Sequence, residues 1–303
     1  MRYLTIIFVL LSFNLHSQEF WYEDSNIGVA AGFPNDFAEM WRQPCMWQDI
    51  RSKTDVYMIR GISLSNFVNQ YGEKFLTDTL AKVLVDNGLS LAIDNPPSNF
   101  EHLYNLLTGA GVNITHIAIQ SALSRPREFS PRYNPELELR IGEVKSQILQ
   151  FEKFAPNAQY GIIDARPTKG WDYEYAYRRL KKVLRNGGSN LDFIILDCPY
   201  GFPKYGNNLT FQTLKNIESY VKDNLNLNYG FIITDNFGGK HSEQSFHDGV
   251  LDYGRDCIAN GLNPDYYILM SWYAYPKNAL PEKPLRGGYS MTKTGLALFD
   301  ILD

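Results

Sequence analysis

Eight short apolar runs, each followed by a stretch of helical periodicity, constrain this chain more than any other feature. The runs lie at residues 27–31, 56–62, 89–93, 116–119, 160–163, 193–196, 229–233 and 266–270. Each is apolar almost without a break, the pattern of strands buried on both faces of a parallel sheet. Between and after them come helical patterns at 37–50, 75–85, 100–107, 137–154, 173–184, 214–225, 243–258 and 292–302. In the second of these, Leu76, Leu80, Val83 and Leu84 recur at helical spacing and Asn87-Gly88 gives a stop signal. Strand–helix alternation calls for right-handed crossovers and a parallel sheet. Eight such units predict an α/β chain closed into one (β/α)8 barrel, a fold of about 250 residues. No G-x-G-x-x-G turn follows the first run, which argues against an open dinucleotide-binding sheet. No linker or low-complexity stretch marks a second domain.

The start of the chain reads as an export signal. Arg2 precedes a mostly apolar run over residues 4–15, shorter than the roughly 20 residues that span a bilayer. Cleavage after Ser17 would make residues 1–17 a signal peptide and leave 18–303 as the barrel, secreted or periplasmic and without a membrane anchor. A buried N-terminal strand is the alternative. The formal charge of −4 provides no basic field for nucleic acid. Cys45, Cys198 and Cys257 have no metal-site spacing and read as packing residues, with one disulfide possible. The five histidines form no ligand set, and neither H-E-x-x-H nor a strand-one H-x-H occurs, so no metal or cofactor is implied, with a divalent ion held by the Asp cluster left open as the alternative.

In such a barrel the chemistry sits at the C-terminal ends of the strands. Four predicted strands end on an Asp after an apolar run: Asp94, Asp164, Asp197 and Asp235. A lone Asp there is usually a turn former or helix cap. Four on one rim would repel unless they share protons, pair with cations or bind something. Arg60 and Arg166 could pair with them in a structural ion network. Glycosidic bond cleavage needs one carboxyl group holding a proton and another ionised. Asp197 and Asp235 form the leading catalytic pair, with Asp164 next. Asp94, Arg60, Gln120, Arg166, Tyr200, Asn236 and Trp272 are the candidate substrate-binding groups. The loops after the strands also carry Trp171, Tyr173, Phe202, Tyr205, Tyr273 and Tyr275, rings that suit sugar faces or simply pack the rim.

Acidic strand ends, an export signal and an aromatic loop after strand eight together resemble the TIM-barrel glycoside hydrolases. The resemblance spans the mature chain and rests on architecture. The Asn-Glu that the large retaining clan places after strand four is replaced by Gln120-Ser121, and its strand-seven Glu by Asp235. The chitinase-type D-x-x-D-x-D-x-E run is missing. The resemblance implies a hydrolase of a polysaccharide or oligosaccharide and assigns no residue roles. A polysaccharide lyase and a non-catalytic carbohydrate-binding barrel stay open, as does the oligomeric state.

Overall fold

A computed structural model describes residues 18–25, 34–120, 123, 137–165, 172–204, 209–284 and 287–303. Eight parallel strands close into a barrel in sequence order. They are β1 (Glu19–Ser25), β2 (Val56–Arg60), β3 (Ser90–Asp94), β4 (Ile114–Gln120), β5 (Gln159–Ala165), β6 (Phe193–Asp197), β7 (Asn228–Ile233) and β8 (Tyr266–Ser271). The predicted signal peptide lies outside the described residues.

Two parts of the sequence expectation change. The first strand is Glu19–Ser25, not 27–31, which lies outside the described residues. Its sequence, EFWYEDS, mixes apolar and acidic residues because a barrel strand faces two environments. Tyr22 packs outward against Trp47 and Tyr57, whereas Trp21 points into the barrel. The single helix expected over 37–50 is two helices, Phe37–Arg42 and Gln48–Lys53, split by a 3-10 turn at Pro44–Trp47. Pro44 supplies no N–H to continue the first helix. The sequence reading also lacked the helix Gly61–Tyr71 directly after β2. None of the three cysteines forms a disulfide; Cys198 and Cys257 are buried. Among the described residues no helix is long and apolar enough to cross a membrane.

Side chains alternate between the outer core, under the helices, and the barrel interior. Strand tilt raises each paired position by about one residue per strand, so inward side chains form layers drawn from alternate strands. The registers assign Val56, His116, Phe193 and Tyr266 to the lowest layer. Above them come Trp21, Ala92, Gly161 and Gly230. Three small residues leave the axis to the Trp21 indole, which stacks on Tyr266 at 4.6 Å and meets His116 at 4.6 Å. A Cβ on Gly161 would lie 2.2 Å from the Phe193 ring, so the glycine is required by this packing. Met58, Ala118, Ile195 and Ile268 form the third layer, and all are buried. This apolar plug closes the bottom of the barrel.

Candidate active site

Polarity changes abruptly above the plug. The fourth layer contains Glu23 and Asp94 beside Ile163 and Ile232, and the fifth contains Arg60, Gln120 and Asp197 beside Met270. Arg60, Asp94, Gln120 and Asp197 are the last residues of their strands. Thr234, just past β7, is fully buried and continues the inward set. So does Trp272, just past β8, which packs against the interior cluster.

Asp94 anchors the best-defined part of this site. Its Oδ2 accepts a hydrogen bond from Gln120 Nε2 at 2.8 Å and lies 3.6 Å from Arg60 Nε. Its Oδ1 is buried and makes no hydrogen bond. Burial pushes the Asp94 pKa up to about 7, against the opposing pull of Arg60 and Gln120. The chain holds Arg60 and Asp94 together through their following residues. Gly61 sits so close to the next loop that a Cβ would fall 2.4 Å from the Asn95 carbonyl oxygen and 2.6 Å from the Pro97 ring. Asn95 itself turns through the left-handed region, φ 52°, which Asn tolerates well.

Parity of the strands separates the other candidates. Asp197 is inward and nearly fully buried. Asp164 has the opposite parity: it points under the helix Tyr173–Asn186, where the Tyr177 hydroxyl donates to its Oδ2 at 2.9 Å. Asp235 is likewise outside the barrel. Its Oδ1 and Oδ2 accept from the backbone N–H groups of Phe237 (3.0 Å) and Gly238 (2.8 Å). The carboxylate also packs against Gly249 of the helix Glu243–Ala259, where a Cβ would sit 2.0 Å from Oδ2. Asp235 therefore does the turn-forming work that a lone Asp at a strand end usually does, and it does not face Asp197.

Tyr200 is corrected in the same way. It stacks on Tyr253 at 4.7 Å and donates to Asp256 Oδ2 at 2.6 Å, both on the helix Glu243–Ala259. Tyr200 and Asp235 line a pocket of about 210 Å³ on the outer side of the sheet with Asp248 and Asp252. Asn236 links two loops: its Oδ1 accepts from Gly201 N at 2.9 Å. Arg166, Trp171 and Tyr205 lie outside the described residues. Among the described residues no group of three or more His, Cys, Asp or Glu is placed to hold a metal ion.

Glu23 is the site residue that the sequence reading missed. It is 2% exposed and shares the interior parity of Trp21. Strand-like alternation over residues 19–23, Glu-Phe-Trp-Tyr-Glu, was the available signal, but the more apolar run at 27–31 outweighed it.

The interior thus combines three acidic side chains, an arginine, an amide and an indole over a closed floor. The described strands and helices superpose on solved barrels of known activity. A mutant of P fluorescens subsp. cellulosa xylanase A in complex with xylopentaose matches with a TM-score of 0.56 and 11% identity, over 93% of this chain and 98% of that one. A fungal β-1,4-galactanase matches with a TM-score of 0.56 and 10% identity, over 93% and 99%. A thermostable mutant of a xylanase from Cellvibrio japonicus gives 0.54 and 12%, over 93% and 98%. This is a TIM barrel. At these identities the likeness is one of fold. No protein-family model matches the sequence, and no curated protein does.

Proposed function

We propose that this barrel hydrolyses glycosidic bonds of a carbohydrate outside the cytoplasm, with Asp94 and Asp197 as its working carboxyl groups. The observation that carries the reading is that two inward carboxyl groups share one barrel interior in adjoining layers. Asp94, pushed to about 7, holds a proton near neutral pH. Asp197 lies in the adjoining layer on a strand across the barrel. Glycoside hydrolysis requires one carboxyl group that holds a proton and a second that is ionised, and this reading gives the second role to Asp197.

The roles follow from the hydrogen bonding. Gln120 donates to Asp94 Oδ2, so the proton of the neutral acid sits on Oδ1. From there it passes to the leaving glycosidic oxygen as the bond from the anomeric carbon breaks. Asp197 takes a proton from the water that attacks this carbon. Asp94 and Asp197 sit three strands apart in the barrel, which suits the water-accommodating arrangement of inverting enzymes, whose carboxyl groups are separated by roughly 6.5–9.5 Å. Glu23 adds an acceptor for hydroxyl groups, and Trp272 offers a ring face to a sugar. Export through residues 1–17 fits an extracellular substrate.

Arg60 favours a second reading, a lyase in which a cation neutralises a uronate before proton abstraction. One assay separates the two. A panel of neutral, sulfated and uronic polysaccharides is incubated with the protein, and new reducing ends and unsaturated ends are both recorded. Reducing ends without unsaturation support the hydrolase, whereas unsaturated ends select the lyase. Silence across the panel would contradict both and leave a binding barrel.

A further inference from the structure

Arg60 is a charged group of the interior with incomplete surroundings. Its side chain is 13% exposed, and its Nε is buried without a hydrogen bond. No described residue accepts a hydrogen bond from its guanidinium. The neighbouring Asp94 Oδ2 lies 3.6 Å from Nε, beyond hydrogen-bond reach, and that oxygen is already taken by Gln120. A guanidinium carries five N–H donors in a rigid fork and stays charged at any relevant pH. Buried polar groups in native proteins find partners, so one left this open in the polar upper layers of a candidate site points to a ligand atom.

We infer that Arg60 binds a carboxylate or sulfate substituent of the carbohydrate, so that the substrate is an acidic sugar rather than a neutral one. The inference rests on the carbohydrate reading above. Asp94 comes nearest to Arg60 at Nε, which makes the two Nη nitrogens the pair of donors for a ligand. Two parallel N–H groups match the paired oxygens of a carboxylate or a sulfate. A neutral hydroxyl would accept one N–H and leave its parallel neighbour unpaired. Recognition is of one substituent, not of a polyanion as such. The chain has a net charge of −4, and Glu23 and Asp197 share the interior with Arg60.

The test is equilibrium binding to two matched pairs of polymers. Polygalacturonate is compared with its fully methyl-esterified form, and dextran sulfate with dextran. The wild-type protein is expected to prefer one charged polymer over its neutral partner by at least about tenfold, the loss usual for a hydrogen bond to a charged group. The first pair assigns a carboxylate and the second a sulfate. Arg60→Gln, checked for folding by circular dichroism, should reduce that preference to near unity. Arg60→Lys keeps the charge but not the fork, and should fall between. Equal binding to charged and neutral forms, no binding to either charged polymer, or a preference that survives Arg60→Gln would each overturn the inference. Binding is read independently of cleavage. A preference that needs Arg60 without any bond cleavage would defeat the hydrolase reading alone. Cleavage of neutral polymers at the same rate in Arg60→Gln would defeat this inference alone.

Discussion

The two ends of the barrel interior bury titratable groups in opposite ways. At the bottom, His116 sits among rings, 4.6 Å from Trp21 and 5.4 Å from Phe193, and burial pushes its pKa down to about 4. It is a neutral packing group in a filled layer. At the top, Asp94 is also fully buried, yet Oδ1 and the neighbouring Arg60 Nε are left without hydrogen bonds. His116 Nε2 is likewise buried without a hydrogen bond, so the two ends differ in what surrounds each group: rings fill the layer of His116, whereas Arg60 and Gln120 approach Asp94. Unmet polarity in a native interior costs stability and persists where a ligand or a reaction uses it.

The comparison breaks most readily at the floor. Trp21→Ala would empty the axis where Ala92, Gly161 and Gly230 supply no volume. We expect it to cost about 3–5 kcal/mol in urea unfolding. A loss under about 1 kcal/mol would mean that the plug collapses around the gap. Gly61→Ala probes the top. Its Cβ meets backbone and a proline ring rather than a movable side chain. The expected cost is about 1–3 kcal/mol, with weaker substrate binding because Arg60 and Asp94 shift apart. A fully stable variant with normal binding would show that this contact does not position the site.

The pH dependence of stability sharpens the contrast by its sign. Folded Asp94 keeps its proton to about pH 7, against an ordinary value of 3.8. Between those limits the folded state holds more protons than the unfolded one, so stability falls as pH rises. His116 does the reverse. The unfolded imidazole takes a proton near its ordinary 6.5 and the folded one only near 4, so stability falls as pH drops through that window. Melting temperatures relative to wild type should therefore rise for Asp94→Asn as pH increases and for His116→Phe as pH decreases. Parallel curves for either variant would remove that group from the account.

The architecture was legible in the sequence because buried parallel strands announce themselves as unbroken apolar runs. Seven of the eight predicted runs overlap observed strands. The first did not, because β1 mixes Trp21 and Tyr22 with Glu23 and so reads as half-polar. The rim acids were legible as a set but not by direction. Asp94 and Asp197 directly follow Ile93 and Leu196, which face the outer core, and so point in, whereas Asp164 follows the inward Ile163 and so points out. One residue of register decides whether a carboxyl group enters the barrel or lies under a helix. A strand end read without its register gives no such information. The unsatisfied atoms of Arg60 and Asp94 depend on packing between strands and have no sequence signature at all.

The central claim is that inward parity selects the working carboxyl groups. Its most direct test is turnover of Asp197→Asn against Asp235→Asn on whichever polysaccharide the wild-type protein cleaves, with both variants confirmed folded. Asp197→Asn should lower turnover at least about a hundredfold, within the usual range for an acid–base group. Asp235→Asn should leave turnover within about threefold while costing about 1 kcal/mol of stability, as the loss of a turn-capping carboxylate does. The opposite pattern, an inactive Asp235→Asn beside an active Asp197→Asn, would contradict the account.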